Sequence, residues 1–542
     1  MNETPQVNRW IVSLSVVFAT FMEVLDTTVV NVALPHIAGS LSATVEEGTW
    51  TLTSYLVANA IILPMTGWLA RQFGRKRLLL GAIIGFTASS FLCGLAPNLT
   101  SLIVFRVIQG ASGGTMQPLS QAIMLEAFPP HERGKAMAAW GLCIVTAPIL
   151  GPVVGGWLTD SWSWRWIFYI NIPVGILSLA MAKMFVFDPP YLKRQAQKID
   201  YWGIGMLAVG MGSLQVMLDQ GQQKDWFSSG RITALAVAAA VLLGAFLVRE
   251  FLVRNPIVDL RVFRDRTYAV GVAMITSVGF MLYGSLVLLP IILQTILGYP
   301  ALQAGMAMAP RGLGSLLFTP VVGILIGRLD PRKLLSCGIT LAAFTLFWFG
   351  FLNLDAGYWD FFWPQFIQGI ALSMLFVPLT TLSMHFIPRE EMGNATSIFN
   401  LMRNIGGSVG IATAATMLER NRRRFTSILG THVTPYSPQA QQALEGLQSA
   451  MTARGADRAT AARRAQALLF GTIGRHATML SFLSLMKFFG ALFIVMLPLL
   501  LLAKSTRARD AGAKTTPARC PGPASQRKAK AFRFRPPGRY VF

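Results

Sequence analysis

Long apolar runs separated by short polar stretches dominate this chain from Trp10 almost to Lys504. Crossing a bilayer as a helix takes about 20 mainly apolar residues. Fourteen segments meet that description: 10–34, 50–70, 78–96, 101–127, 134–159, 166–187, 200–218, 231–252, 267–293, 303–328, 334–353, 361–386, 393–418 and 479–503. The pattern predicts an all-α polytopic membrane protein. Composition agrees, with 53% hydrophobic and 13% charged residues, where a soluble domain carries about 25% charge. The mean hydropathy is +0.51. The first run is too long for a signal-peptide core and contains Glu23 and Asp26, so it reads as a retained span.

The net charge of +23 changes the picture only through its placement. Basic residues cluster in alternate short loops: Arg71, Arg75, Lys76 and Arg77; Arg133 and Lys135; Lys193, Arg194 and Lys198; Arg249, Arg254, Arg261, Arg264 and Arg266; Arg328, Arg332 and Lys333. The opposite loops carry Glu46 and Glu47, or Asp355 and Asp360. The positive-inside rule then places both termini on the cytoplasmic side. The segment 419–477, read as a long periplasmic loop, opposes the bias with Arg420, Arg422, Arg423 and Arg424, but long loops are weak determinants of topology. The basic tail 504–542 suits anionic lipid headgroups. Loop-borne charge of this kind is no nucleic-acid footprint. The four cysteines offer neither a disulfide framework nor metal-ligand spacing.

The chain also matches itself at an offset of about 256–259 residues. Asn31–Pro35 echoes Leu286–Pro290, and Gly67 with Arg75–Arg77 echoes Gly323 with Pro331–Lys333. Val107–Gly110 echoes Phe366–Gly369, and Pro130–Gly134 echoes Pro388–Gly393. This register predicts two six-helix bundles, 10–187 and 267–503, flanking an inserted helix pair at 200–252. Spans 1 and 4 map onto spans 9 and 12, and the halves share one topology. Parallel repeats of this kind bind substrate near the midplane and alternate access by rocking.

An ionisable group within a span costs about 2.5–3.5 kcal/mol on insertion scales and so marks a candidate ion pathway. Glu23 and Asp26 lie on one face of span 1, and their repeat counterparts near Val278 and Met281 are apolar. The candidate proton site therefore belongs to one half. Arg106, in span 4, lies within about 5 Å of Asp26 in depth at 1.5 Å per residue and is the expected switchable partner; a permanent structural pair is the alternative. Its repeat counterpart is Gln365. Gly151-Pro152 and Gly155-Gly156 in span 5 combine a broken hydrogen-bond ladder with room for close helix contact. Gly67, Gly74, Arg75 and Lys76 mark a tight basic loop between spans 2 and 3. Met22, Gln109, Met281, Arg311 and Arg403 are substrate-cavity candidates. Core packing is the plainer account of the methionines, and pairing within the bundle that of the arginines. No phosphate-binding loop or enzymatic constellation is present, so no cofactor beyond a proton gradient is expected.

At these residues the chain resembles the major facilitator superfamily. Gly67–Arg77 is similar to the pattern G-x-L-A-D-R-x-G-R-K, Arg106–Gly110 to the R-x-x-Q-G signature, and Gly151–Gly156 to the antiporter signature of the fifth helix. Leu25–Pro35 and Trp164–Pro173 resemble the fourteen-span drug:proton antiporters of the EmrB/QacA subfamily, closest to EmrB-type members. The resemblance implies multidrug efflux of small amphipathic substrates, with Asp26 the protonated acid, Arg106 a coupling residue and 151–156 a gate element. It also implies a periplasmic membrane-fusion adaptor and an outer-membrane channel as partners, with 419–477 the docking surface. Arg71 stands where the loop pattern has an acid, so a gate built on that carboxylate is not carried over. Competing expectations are a proton-driven uptake symporter of the same fold and a non-transporting sensor or assembly subunit.

Overall fold

A computed structural model of the chain describes residues 8–129, 132–188, 199–253, 255–434 and 436–502. The basic tail 504–542, Arg254 and the loop residues Lys193, Arg194 and Lys198 lie outside the described residues. The described chain is helical and contains no strand. In order it forms α1 (Arg9–Ser40), α2 (Val45–Gly48), α3 (Trp50–Phe73), α4 (Arg75–Leu95), α5 (Leu99–Gly113) and α6 (Met116–Ala127). It continues through α7 (Arg133–Ser161), α8 (Trp166–Tyr169), α9 (Asn171–Phe185), α10 (Tyr201–Gln220), α11 (Gly230–Leu252) and α12 (Arg266–Ile291). It closes with α13 (Ala301–Leu325), α14 (Pro331–Phe349), α15 (Tyr358–Ser383), α16 (Met392–Thr431), α17 (Pro438–Ala453) and α18 (Arg458–Met496).

Among the described residues, eleven helical stretches are long and apolar enough to cross a membrane, or twelve with the bent α7. Two predicted spans take other forms. Segment 101–127 is not one helix but α5 and α6, interrupted at Gly114 and Thr115. The break sits beside α3: a Cβ on Gly113 would lie 2.8 Å from the Tyr55 hydroxyl, and one on Gly114 2.8 Å from the Asn59 carbonyl. Segment 393–418 is only the first part of the 40-residue α16, which at 1.5 Å per residue is about 60 Å long, twice the hydrocarbon thickness. With these two, each of the fourteen predicted spans has a helical counterpart.

The same helix corrects the reading of 419–477 as an open loop. α16 runs on through its arginines to Thr431, α17 follows, and α18 begins at Arg458, so most of the segment is helix. The stretch is rich in Ala, Gln, Leu and Arg, all good helix formers. Glu419 also pairs with Arg422 and Arg423 one turn on, at 3.0 and 2.9 Å. The apolar-span pattern detects the membrane-embedded part of a helix and is blind to its polar continuation.

Two groups of helices carry the core. α1 packs on α6, α7 and α9, while α5 lies between α3 and α4. In the second group α12 packs on α16, α13 on α15, and α14 on α15 and α18. α10 and α11 pair with each other, and α10 also touches α3 and α16. The groups meet through α7 with α13 and through α16 with α3 and α6. This joint lies at the helix ends that carry the Arg75–Arg77 loop. A Cβ on Gly67 would lie 2.8 Å from Asn394 Cα, and one on Gly323 2.8 Å from Ala138 Cβ. Thr396 Oγ1 donates to the Pro118 carbonyl at 3.1 Å and Asn400 Nδ2 to Gln121 Oε1 at 2.6 Å. The segment 255–259 is strapped across the same end. Asn394 bonds the backbone of Asp259 both ways, at 3.1 and 2.7 Å, and Arg71 donates to the Pro256 carbonyl at 3.5 Å.

Close helix contact at glycine carries much of this packing. A Cβ on Gly110 would run into the Tyr55 backbone, whereas one on Gly81 meets nothing within 4 Å. Gly110→Val should therefore destabilise the detergent-solubilised chain by about 1–3 kcal/mol, the usual range for overpacking. Gly81→Ala should be neutral or stabilise by up to about 1 kcal/mol. Thermal unfolding of the two variants distinguishes these outcomes, and equal midpoints contradict the packing.

Candidate functional site

Asp26 sits midway along α1, 1% exposed, and its carboxylate is fully engaged. Arg106 Nη1 donates to Oδ2 at 2.6 Å. Gln109 Nε2 and Asn171 Nδ2 donate to Oδ1 at 3.0 and 2.8 Å. Two helices thus converge on the Asp26 side chain of α1, because α5 brings Arg106 and Gln109 on one face, i and i+3, and α9 opens with Asn171. Ser90 of α4 closes the ring, with its hydroxyl accepting from Gln109 at 3.2 Å and from Asn171 at 3.0 Å.

Arg106 is wholly buried and is held as firmly as its partner. Its Nε donates to the Thr51 carbonyl at 3.0 Å and its Nη1 also reaches Gln109 Oε1 at 2.8 Å. The Tyr55 ring lies 4.2 Å from the guanidinium carbon and the Phe168 ring 5.8 Å, within cation–π range. A buried ion pair survives desolvation only when its remaining donors and acceptors are answered, and this shell answers nearly all of them.

Glu23, one turn earlier on α1, is equally buried but differently met. It accepts from Asn59 Nδ2 at 3.1 Å, from the Tyr55 hydroxyl at 3.5 Å and from Gln117 Nε2. Among the described residues no cation lies within ion-pair distance of it. Gln117 Oε1 in turn accepts from Arg403 Nη2, so a Glu23–Gln117–Arg403 chain of hydrogen bonds joins the two helix groups.

Other candidates fall into distinct places. In α7, which contains Pro152, a Cβ on Gly151 would strike Thr28 and one on Gly155 would lie 2.9 Å from the Val29 carbonyl; Gly156 faces Val32 at 3.9 Å. These glycines therefore seat α7 on α1 just past Asp26. Gly74 has φ of 90°, the left-handed region that favours glycine. Arg75 forms a buried ion pair with Glu126. The Lys76 backbone N–H donates to Asp188 Oδ1 at 2.8 Å, and its ammonium to the Lys183 carbonyl at 2.7 Å. The basic loop is thus a packed knot rather than a set of free charges. Met22 and Gln109 line no opening: both are fully enclosed, and Gln109 serves Asp26. Met281 lies at the wall of a cavity of about 510 Å³ shared with Phe280, Ile405 and Phe488. Arg311 is buried in the second group and donates to Gln368.

Sequence reasoning did not assign roles to Asn171, Ser90, Tyr55, Asn59 and Gln117. The available signal was an amide or hydroxyl inside an apolar span, and only the fold shows which of many such groups share a depth and a direction.

A helical bundle with crossings of this number, an internal repeat and buried ionisable groups at mid-depth defines a membrane transporter rather than an enzyme. The chain belongs to the major facilitator superfamily, whose profile, described as Major Facilitator Superfamily, matches residues 16–411. It is 40% identical over 499 residues to the fatty acid resistance protein FarB of Neisseria gonorrhoeae, covering 91% of this chain and 96% of FarB. It is 42% identical to the multidrug export protein EmrB of Haemophilus influenzae, covering 80% and 84% of the two chains. Among solved structures it superposes on the human organic anion transporter MFSD10 with a TM-score of 0.61 at 13% identity, over 91% of this chain and 100% of that one. A double-tryptophan variant of XylE gives a TM-score of 0.58 at 15% identity, over 92% and 96%. These two likenesses concern the fold.

The pair makes a sharp stability prediction. Arg106→Gln leaves the Asp26 carboxylate buried without a counter-ion and should cost about 3–5 kcal/mol. Adding Asp26→Asn should recover part of that loss, since the double variant buries no charge there. Unfolding midpoints of the two variants in detergent test this; a double variant less stable than Arg106→Gln contradicts it.

Proposed function

We propose that the chain is a proton-coupled multidrug exporter that moves small amphipathic molecules across the bacterial inner membrane, with both termini cytoplasmic. The observation that carries this reading is the Asp26–Arg106 pair, an acid and a base enclosed together at mid-depth in α1 and α5. A proton arriving on Asp26 cancels its attraction for Arg106 and leaves a donor where the Gln109 and Asn171 amides now donate, so the shell must rearrange. Departure of the proton restores the pair. Because α7 is seated on α1 through Gly151 and Gly155, a shift of α1 is passed to the helix that also meets α13 across the joint.

Alternating access then needs two bodies. The halves 10–187 and 267–503, with the pair 200–252 between them, supply these in the proposed mechanism. With the Arg75–Arg77 loop cytoplasmic, contacts at Gly67–Asn394, Ala138–Gly323 and Gln121–Asn400 close the cytoplasmic end, so this conformation opens toward the other side. Arg71 reaches a backbone carbonyl of the 255–259 strap here, in place of the acid-based contact of the family pattern.

Drug export is supported by relatives named as multidrug export proteins at about 40% identity and by the antiporter-type glycine segment in α7. The EmrB-type resemblance further suggests a periplasmic adaptor and outer-membrane channel. The helical extension of α16, α17 and α18 is the docking element this reading assigns to them.

Proteoliposomes carrying the chain and a neutral fluorescent amphipath test the coupling. An imposed pH gradient should drive accumulation, and Asp26→Asn should reduce it to the gradient-free level. Full-rate transport without a gradient, or in that variant, contradicts the reading.

A further inference from the structure

The inserted pair α10–α11 lies outside the two repeats, and the transport reading above gives it no task. It runs along the seam where α3 of the first group meets α16 of the second, touching both through α10. Toward one end Asp219 accepts from Thr53 of α3, Gln215 accepts from Ser408 of α16 at 3.2 Å, and Trp226 donates to Thr416 at 2.9 Å. At the other end the chain leaves α11 through the strap 255–259. There Ile257 and Val258, 1% and 4% exposed, enter a core of their own with Trp68 of α3, Met211 of α10, Phe246 of α11 and Ile398 of α16. The insert, the strap and both halves thus share one apolar cluster.

Polar contacts at this end converge on the same strap. Asn394 of α16 bonds the Asp259 backbone both ways, and Arg71 of α3 donates to the Pro256 carbonyl. Glu250, near the end of α11 and buried, accepts from the Val258 N–H at 3.4 Å, and its Oε1 has no partner. The neighbouring Arg249 is paired with Asp200, and among the described residues no cation lies within ion-pair distance of Glu250. The carboxylates whose charge bears on Arg71 are, in order, Asp259, Glu391 and Glu250. The family pattern puts an acid at position 71. Here the cation stands on α3, and the acids come from the strap, the entry to α16 and α11. The charge of this lock is inverted, and its anionic side includes the insert.

A buried carboxylate without a cation is costly, and inside a span it marks function rather than stability. α3 and α16 cannot part at this end without drawing Ile257 and Val258 out of their core or breaking the bonds of Arg71 and Asn394. We propose that the inserted pair is a clamp on the cytoplasmic gate, with Glu250 the positioning residue that holds the strap against Arg71 and Asn394. The acid on α11 thereby sets how readily the closed end opens, a task separate from that of the coupling acid Asp26. The clamp rests on the alternating-access part of the reading above, since only halves that rock have a gate to hold.

Hydrogen–deuterium exchange of the full chain in nanodiscs, read by mass spectrometry, tests the clamp. Glu250→Ala should speed exchange at the cytoplasmic ends, 65–73 of α3 and 392–400 of α16, by about fivefold or more, the effect of losing one bond of ordinary strength. Exchange at the opposite ends, 50–56 and 412–418, should slow, because rocking closes one end as it opens the other. Glu250→Gln, which keeps an acceptor for Val258 but not the charge facing Arg71, should give an intermediate shift. Arg71→Gln, which loosens the clamp from α3, should reproduce the reciprocal pattern. Faster exchange at both ends reports a weakened fold and overturns the gating role, as does unchanged exchange at 65–73 and 392–400. A reciprocal response in the variants, with a wild type that carries no amphipath along a pH gradient, keeps the clamp and strikes the export reading.

Discussion

The structure depends on the enclosure of Asp26 with Arg106. The pair is held from three helices besides α1, by Thr51 on α3, Gln109 on α5 and Asn171 on α9, and Ser90 on α4 accepts from both amides. Burial makes the pair strong and also makes it sensitive, because a single proton changes the net charge of a site that solvent barely reaches. Helices that would otherwise slide on one another through apolar contacts acquire a discrete polar register. In the proposed mechanism, a proton on Asp26 releases that register.

Around this pair, glycine decides how closely helices approach. Gly110 admits the Tyr55 backbone, Gly113 and Gly114 break α5 from α6, and Gly151 and Gly155 seat α7 on α1. The same device recurs at the joint between the halves, where Gly67 meets Asn394 and Gly323 meets Ala138. Close backbone contact makes these interfaces two-state rather than gradual, since a packed core resists continuous deformation. The hydrogen-bond chain from Glu23 through Gln117 to Arg403 also links the two helix groups.

The membrane class, the α-helical fold and the span positions were legible because lipid imposes a long, uniform apolar pattern that survives small errors in boundary. The Asp26–Arg106 juxtaposition was legible for a related reason: charges in spans are few, so pairing them by depth has few solutions. What could not be read from the chain were the neutral members of the shell. Asn171, Ser90 and Gln117 are ordinary residues in sequence, and their partners are 19 to 286 positions away. The interruption at Gly114 depends on how near α3 passes. The helical continuation through 419–477 depends on propensity in a polar segment, which apolar patterning does not register. Arg71 marks a departure from the family pattern whose consequence, a bond to the strap at Pro256, needed three dimensions.

The most direct test of the account is proton release on substrate binding, measured with a pH indicator in weakly buffered detergent solution at a pH where the wild type pumps. If Asp26 holds the coupling proton, a neutral transported amphipath should displace protons from the wild type, and Asp26→Asn should bind the same amphipath with no such release. Equal proton release from both proteins would contradict the central role of the α1 carboxylate.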